Sequence, residues 1–152
     1  MLGHDVTPVE LAKLNGFRVL VTGARDWQDK SKVRNALDAV GMAWGFDGMT
    51  VVEGECPYGG ADEIAYQWAL DNADLGVRSE RHPADWQQYG KAAGPIRNTK
   101  MVTAGARICL AFPGIASRGT KDCMMKASHV GIPVWDVANQ PGPPFILRAW
   151  QP

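Results

Sequence analysis

The residues best suited to chemistry lie between an apolar run and a segment with helical spacing. The apolar run, Ile108–Phe112, ends at Pro113-Gly114, and Gly119-Thr120 opens the segment that follows. This order predicts a strand, a glycine-containing loop and the start of a helix. A helix start presents unpaired backbone N–H groups and the positive end of the helix dipole, so a phosphate is a suitable ligand for it.

The side chains of this loop fit the same chemistry. Gly114 and Gly119 allow a ligand to approach the backbone closely, and Thr120 can cap the helix or donate from its hydroxyl. Ser117 and Arg118 add a donor and a positive charge. The pattern G-x-x-x-x-G-T-K differs from a P-loop, because the lysine and the hydroxyl residue are transposed. An ordinary tight connection between a strand and a helix would carry the same glycines, so the loop alone leaves both interpretations open.

Composition narrows the classes of function. The 152 residues are enough for one domain with its own core. The formal net charge is zero, which disfavours bulk nucleic-acid binding but remains compatible with a local basic patch. The three cysteines lie far apart and no metal-binding spacing occurs, so we expect no disulfide framework, no metal and no cofactor. With no membrane-length apolar run and no signal-peptide pattern, a soluble cytoplasmic protein is expected.

The elements that must position the loop follow an alternating order. Five apolar runs predict strands, at residues 17–22, 49–52, 77–81, 108–112 and 132–137. Segments with helical spacing begin near residues 31, 61, 95 and 119. The alternation predicts an α/β fold, a doubly wound and mainly parallel sheet of about five strands with helices on both faces. The domain is expected to span residues 17–137, after a leading helix in 1–16 and before a tail in 138–152.

Three glycine-bearing loops are expected to meet at one edge of this sheet. They follow the first, second and fourth strands, and ligands of such sheets bind beyond the carboxyl ends of the strands, where the strand order reverses. If the order is 3-2-1-4-5, the first and third of these loops face each other across a crevice. The sequence therefore predicts one pocket that holds Gly23, Arg25, Gly60, Asp62, Gly114, Gly119 and Thr120.

The segment 82–94 has no clear periodicity and is predicted to be a long loop. Such loops in compact domains are usually functional or mobile. This one carries Trp86 and Tyr89, which suit stacking, and His82, Asp85 and Lys91, which suit polar contacts. It is therefore a second candidate source of ligand contacts.

Several ordered motifs resemble a known family. They are V-T-G-A-R-D at 21–26, G-G-A-D at 59–62, H-P-A-D-W at 82–86, G-K-A-A-G-P-I-R-N at 90–98, and A-F-P-G at 111–114 with G-T at 119–120. Together they resemble the YspA-like (DUF2493) branch of the SLOG superfamily, which is common in bacteria and in phages of actinobacteria. The resemblance implies a Rossmann-like fold that binds nucleotides or their derivatives, a homodimer or higher homo-oligomer, and a host-cytoplasm location if the chain is phage-encoded.

Within that superfamily, the LOG phosphoribohydrolases carry P-G-G-x-G-T-x-x-E and a preceding arginine that works with the glutamate. Arg97 matches the arginine and Met101 the methionine that follows it, but Cys123 stands at the glutamate position, with Asp122 beside it. Cleavage of an N-glycosidic bond needs a carboxylate, which cysteine cannot replace. The catalytic candidates are therefore Arg97 and Asp122, and hydrolysis of the LOG type is not expected.

Three functions follow as alternatives. The leading interpretation is a domain that senses, sequesters or processes a small nucleotide-derived ligand, and Arg97 is expected to be the residue whose loss weakens binding most. The enzyme alternative is hydrolysis of a nucleoside 5′-monophosphate, with Asp122 or Asp85 as the carboxylate. The third is single-stranded DNA binding in the manner of DprA. The residues predicted to bind the ligand or its phosphate are Gly23, Arg25, Asp26, Gly59, Gly60, Asp62, His82, Asp85, Trp86, Tyr89, Lys91, Arg97, Asn98, Pro113, Gly114, Ser117, Arg118, Gly119 and Thr120.

Overall fold

The computed structural model describes residues 16–140 and 142–143. The strands are β1 (Phe17–Gly23), β2 (Met49–Glu53), β3 (Arg78–Arg81), β4 (Ile108–Phe112) and β5 (Val134–Asp136). The helices are α1 (Lys30–Trp44), α2 (Gly60–Asp71), α3 (Trp86–Tyr89), α4 (Ala93–Thr103) and α5 (Arg118–His129), with short 3-10 turns at Ala73–Leu75 and Gly90–Ala92. The predicted leading helix and the apolar end of the tail lie outside the described residues.

The five strands form one parallel sheet in the order β3-β2-β1-β4-β5. Strand β1 is central, and its Val19 pairs with Val51 of β2 and Ile108 of β4. All three side chains are fully buried, as expected for strands covered on both faces. The predicted α/β, Rossmann-like fold is confirmed. Strand β5 lies at the edge of the sheet, directly after Pro133, whose missing N–H suits that place.

Helices cover both faces of the sheet and close two cores. On one face, α1 and α2 pack their apolar stripes on the strands, with Leu37 and Trp68 among the largest fully buried side chains. On the other face, α4 and α5 enclose a smaller core with Leu20, Met101 and Cys123. The spacing of Val33, Ala36, Leu37 and Val40 explains why α1 forms, since these buried residues lie on one side of a helix. No helix within the described residues is long and apolar enough to cross a membrane.

The prediction of a loop over residues 82–94 was wrong. The segment contains α3, a 3-10 turn and the first residues of α4. The Asp85 carboxylate accepts a hydrogen bond from the Gln88 backbone N–H (3.0 Å) and so caps a helix of a single turn, which is too short to show a periodic pattern. Helix α4 begins at Ala93 rather than Pro95, because a proline in the first turn of a helix lacks only an N–H that has no partner within the helix.

The predicted start of the last helix also needs correction. Helix α5 begins at Arg118, and Thr120 lies inside its first turn with a buried side chain. Thr120 therefore cannot be the capping residue. Ser117 precedes the helix, but its side chain makes no capping hydrogen bond.

Candidate functional site

A cleft of about 490 Å³ opens at the carboxyl ends of β1 and β4, where the strand order reverses. We call this space the cleft. The loops that follow β1, β2 and β4 contribute to its lining, together with one side of α4. Gly23 and Gly119, predicted to share a pocket, both line it. The residues of the predicted binding set that line the cleft are Gly23, Arg25, Asp26, Asp62, Trp86, Arg97, Asn98, Ser117, Arg118, Gly119 and Thr120.

The three loops are held together at Ala24. Its N–H donates to the Phe112 carbonyl at the end of β4 (2.9 Å), and its own carbonyl accepts from the Ala61 N–H at the start of α2 (3.2 Å). A Cβ on Gly60 would lie 2.3 Å from the Ala24 carbonyl oxygen, and one on Gly114 would lie 3.0 Å from the Ala24 Cβ. Gly60 and Gly114 do not line the cleft; they allow its loops to meet.

The start of α5 is arranged to receive an anion. The Ser117 hydroxyl accepts a hydrogen bond from the Gly114 N–H (2.6 Å), so it is used inside the loop and not on the helix. Within the described residues, the backbone N–H groups of Gly119 and Thr120, in the first turn of α5, therefore have no capping side chain. Both residues line the cleft. Unpaired N–H groups at the positive end of a helix dipole are a common phosphate site.

Two exposed arginines add positive charge beside this helix start. Arg25 and Arg118 line the cleft, and neither forms an ion pair with any residue between 16 and 140. The Arg25 guanidinium lies 5.4 Å from the centre of the Tyr58 ring, which is the distance range of a cation–π contact. Their charges are thus available to a ligand.

Arg97 is the most heavily engaged cation of the cleft. Its Nη1 donates to the Gly54 carbonyl (2.6 Å) and to the His82 carbonyl (3.4 Å), and its Nε donates to the Asn98 side-chain oxygen (2.8 Å). Asn98 is buried, and its amide donates to the Gly119 carbonyl and to the Asp122 carboxylate, both at 3.1 Å. Arg97 and Asn98 therefore tie the loop after β2 to the start of α5, in addition to facing the cleft.

The cleft also has a buried acid, Asp62, which is 7% exposed. Burial, together with the neighbouring Glu53 charge, raises the pKa of its carboxyl to about 7, against the opposing effects of Arg97, the Cys56 N–H and Arg81. A carboxyl with this pKa exchanges its proton near neutral pH. Such groups in clefts are typical of functional sites.

Glu53, whose charge acts on Asp62, is fully buried and was not predicted from the sequence. Its carboxylate accepts from Arg81 Nε and from the Glu55 N–H, both at 2.5 Å. Burial raises the pKa of Glu53, while Arg81 acts against this rise. An acidic residue that ends an apolar strand was the available signal. Glu55 is the only non-glycine residue with positive φ (49°) in the described part of the chain.

Other predicted residues are placed outside the lining of the cleft. His82 Nε2 lies 2.6 Å from a Glu80 carboxylate oxygen, and Asp85 is occupied as the cap of α3. The Asp122 carboxylate, the catalytic candidate, accepts from Lys126 Nζ (2.9 Å) and Asn98 and does not line the cleft. The remaining members of the predicted set that do not line it are Gly59, Gly60, Tyr89, Lys91, Pro113 and Gly114.

Two lining residues that the sequence did not single out are Tyr58 and Cys56. Tyr58 is 74% exposed, and Trp86, which was predicted, is 53% exposed; we call these two aromatic side chains the rim of the cleft. Their exposure leaves ring faces that a planar ligand can stack on. Tyr58 sits in a Pro-Tyr-Gly-Gly run, where a turn and an exposed aromatic residue could have been expected.

Cys123, at the position of the LOG glutamate, is fully buried in the smaller core and does not line the cleft. Its thiol and that of Cys109 share a hydrogen bond, which raises the pKa of Cys109 and lowers that of Cys123. Both thiols are free. Among the described residues, no group of three or more His, Cys, Asp or Glu side chains could hold a metal ion.

Comparison with known proteins gives a family match that includes part of the cleft. A family model described as the YspA, cpYpsA-related SLOG family (YAcAr) matches residues 17–89. The chain is also 44% identical over 126 residues to the gene 61 protein of Mycobacterium phage D29, a match that covers 82% of this chain and 98% of that protein. The matched span of the family model includes Arg25, Asp62 and Trp86 of the cleft. The resemblance read from the motifs is thus confirmed, and the chain belongs to the YspA- and cpYpsA-related branch of the SLOG family.

Proposed function

We propose that this protein binds a nucleotide or a small nucleotide-derived ligand in the cleft. Membership of the SLOG family supports a nucleotide-related function in general. The observation that carries the proposal is the start of α5, where Ser117 makes no capping hydrogen bond and the Gly119 and Thr120 N–H groups lie beside Arg25 and Arg118, two cations that form no ion pair within residues 16–140. Backbone donors, a helix dipole and guanidinium groups together favour a phosphate.

The rim supports a base-bearing ligand over inorganic phosphate. Tyr58 and Trp86 present exposed rings at a cleft whose volume, about 490 Å³, falls in the range of small-molecule sites. Stacking of a base on an aromatic side chain is worth about 1–3 kcal/mol per base. In this arrangement the phosphate lies against α5 and the base against the rim.

The alternatives receive less support from the cleft. The two carboxylates predicted for hydrolysis lie outside the lining, because Asp122 is paired with Lys126 and Asp85 caps α3. A polyanion such as single-stranded DNA would meet the carboxylates of Asp26, Glu55 and Asp62 in the cleft. We therefore propose ligand binding without N-glycosidic hydrolysis, in the cytoplasm, or in the host cytoplasm if the chain is phage-encoded, as its phage relative suggests.

The test is a thermal-shift screen with nucleoside mono-, di- and triphosphates, cyclic nucleotides and ADP-ribose, followed by calorimetric titration of the best ligand. Arg25→Ala and Arg118→Ala should each weaken binding about tenfold to a hundredfold, because each removes a charge-assisted hydrogen bond worth about 1.5–3 kcal/mol. Arg34→Ala is the matched control, since Arg34 pairs with Asp71 at the surface, away from the cleft.

The proposal fails if no compound of the screen shifts the melting temperature. It also fails if both cleft variants bind as tightly as the wild type. A mobility shift with single-stranded oligonucleotides separates the DprA-like alternative, because nucleic-acid binding would show there with a strong dependence on salt.

A further inference from the structure

The cleft combines groups that cannot all bind the same part of a ligand. Arg25, Arg118 and the start of α5 favour an anion, whereas Asp62 is a carboxyl group at the same cleft. A phosphate placed against Asp62 would be repelled by the ionised carboxylate. The part of the ligand that reaches Asp62 is therefore not an anion, and a carboxylate favours a part that carries hydrogen-bond donors.

Asp62 has the capacity to accept from such donors. In the part of the chain that the structure describes, the Cys56 backbone N–H donates a hydrogen bond to it, and the charges that act on it are those of Glu53, Arg97 and Arg81. A carboxylate offers about four acceptor positions on two oxygens, so one N–H leaves most of them for a ligand. Because the residue is 93% buried yet lines the cleft, bulk water donates few hydrogen bonds to these remaining acceptor positions.

The sugar is the part of a nucleotide that meets these requirements. The phosphate is drawn to the cations and to α5, and the base to the exposed rim of Tyr58 and Trp86, which leaves the buried carboxyl for the portion between them. The 2′- and 3′-hydroxyls of ribose are adjacent uncharged donors that two carboxylate oxygens can receive together. A carboxylate on a ribose hydroxyl is a common arrangement in doubly wound nucleotide-binding folds.

On the basis of the proposed nucleotide binding, we infer that Asp62 accepts hydrogen bonds from the ribose hydroxyls of the ligand. The cleft therefore selects ribonucleotides over 2′-deoxyribonucleotides. Asp62 is thus a specificity-determining residue, distinct from the Cys123 and Asp122 positions at which a LOG-like carboxylate would be sought.

The test pairs each ribonucleotide with its deoxy counterpart in calorimetric titrations at pH 8. AMP, GMP, CMP and UMP are each compared with the 2′-deoxy form, and ribose 5-phosphate is compared with 2-deoxyribose 5-phosphate to remove the base. Loss of a hydroxyl that faces a buried acceptor should weaken binding about tenfold to a hundredfold. Asp62→Asn should reduce this ratio to a few-fold, because a neutral amide oxygen accepts more weakly than a carboxylate.

Glu63→Gln is the matched control. Glu63 is the next residue of α2, but its carboxylate accepts from Gln67 and Arg81 and does not line the cleft, so its loss should leave the ratio unchanged. Equal affinities for AMP and 2′-deoxy-AMP, and for the other pairs, would overturn the inference and leave the proposed function standing. A ribose preference that survives in a folded Asp62→Asn variant would overturn the assignment to Asp62. If the wider screen yields a ligand with a ribose hydroxyl other than these monophosphates, the same ribose and deoxyribose pair is made of that ligand; if no compound of the screen binds, both proposals fail.

Discussion

Replacing Asp62 with asparagine should stabilise the protein most at alkaline pH. Burial in the folded state raises the pKa of this carboxyl from the ordinary 3.8 to about 7. The folded protein then holds the proton more tightly than the unfolded chain, so stability falls as the pH rises from about 4 to about 7. Asparagine has no proton to lose and escapes this cost, while its oxygen can still accept from the Cys56 N–H.

The size of the effect follows from the two pKa values. The gap between 3.8 and about 7, at about 1.4 kcal/mol per pKa unit, corresponds to about 4 kcal/mol of unfolding free energy at pH 8. At pH 5 the carboxyl is still mostly protonated in the folded protein. The same pKa difference therefore lowers the unfolding free energy by only about 2 kcal/mol. Any cost of fitting the amide is the same at both pH values, so the gain of Asp62→Asn over wild type should grow by about 2–3 kcal/mol between pH 5 and pH 8.

Urea unfolding followed by tryptophan fluorescence at pH 5, 6, 7 and 8 measures this growth directly. Asp26→Asn serves as the control, because Asp26 lines the same cleft with an exposed side chain. Its stability difference from wild type should change less across the series than that of Asp62→Asn, because an exposed side chain is in contact with water in both the folded and the unfolded state. A flat series for Asp62→Asn, or a gain that shrinks toward pH 8, would refute the reasoning that burial of Asp62 costs stability when it ionises.

Other expected outcomes follow from the same structure. Arg97→Ala should weaken binding of the best ligand about tenfold to a hundredfold in calorimetry. Arg97→Lys should recover only part of this affinity, because an ammonium cannot make forked contacts. Unchanged affinity in a folded Arg97→Ala variant would contradict this prediction. Incubation with AMP should release no free base above background by chromatography. Gly60→Ala should lower the unfolding free energy measured in urea by more than about 2 kcal/mol, because its Cβ would lie 2.3 Å from the Ala24 carbonyl oxygen. Gly59 also has a positive φ, but a Cβ there would meet no atom within 4 Å, so Gly59→Ala should cost only about 1 kcal/mol. Met125 is exposed on α5, and Met125→Glu should lower the mass measured by light scattering if this helix face forms the proposed homo-oligomer.

The fold was predictable because parallel central strands must be apolar on both faces. Phe17–Gly23 and Ile108–Phe112 carry that pattern directly in the sequence, and the glycine loops mark where each strand ends. The position of the cleft then follows from the topology, since carboxyl ends of parallel strands lie at one edge. Eleven of the predicted residues line the cleft, and eight of them lie at the end of β1 or in the segments that follow β1, β2 and β4.

What the sequence could not give depends on contacts between distant residues. The raised pKa of Asp62 arises first from burial, which only the folded chain creates, and then from the charge of Glu53, nine positions earlier. The hydrogen bonds from Arg97 to the Gly54 and His82 carbonyls join three separate segments of the chain. No local sequence pattern predicts such contacts. The cap of α3 by Asp85 was visible in principle, but a one-turn helix offers no periodicity to detect.

The cleft has two kinds of positions. Where the three loops meet at Ala24, close packing restricts which residues fit, and at exposed positions the residue type can vary. Gly60 and Gly114 leave no room for a larger residue beside Ala24, whereas Tyr58 and Trp86 of the rim, and Ile115 in the loop before α5, are exposed and fill no core. Substitutions at exposed sites of this kind usually change stability by less than about 0.5 kcal/mol. Under the proposed nucleotide binding, a laboratory library randomised at Tyr58 and Trp86 should change which base is preferred while the scaffold keeps its melting temperature, which makes the rim a natural starting point for building a small-molecule biosensor.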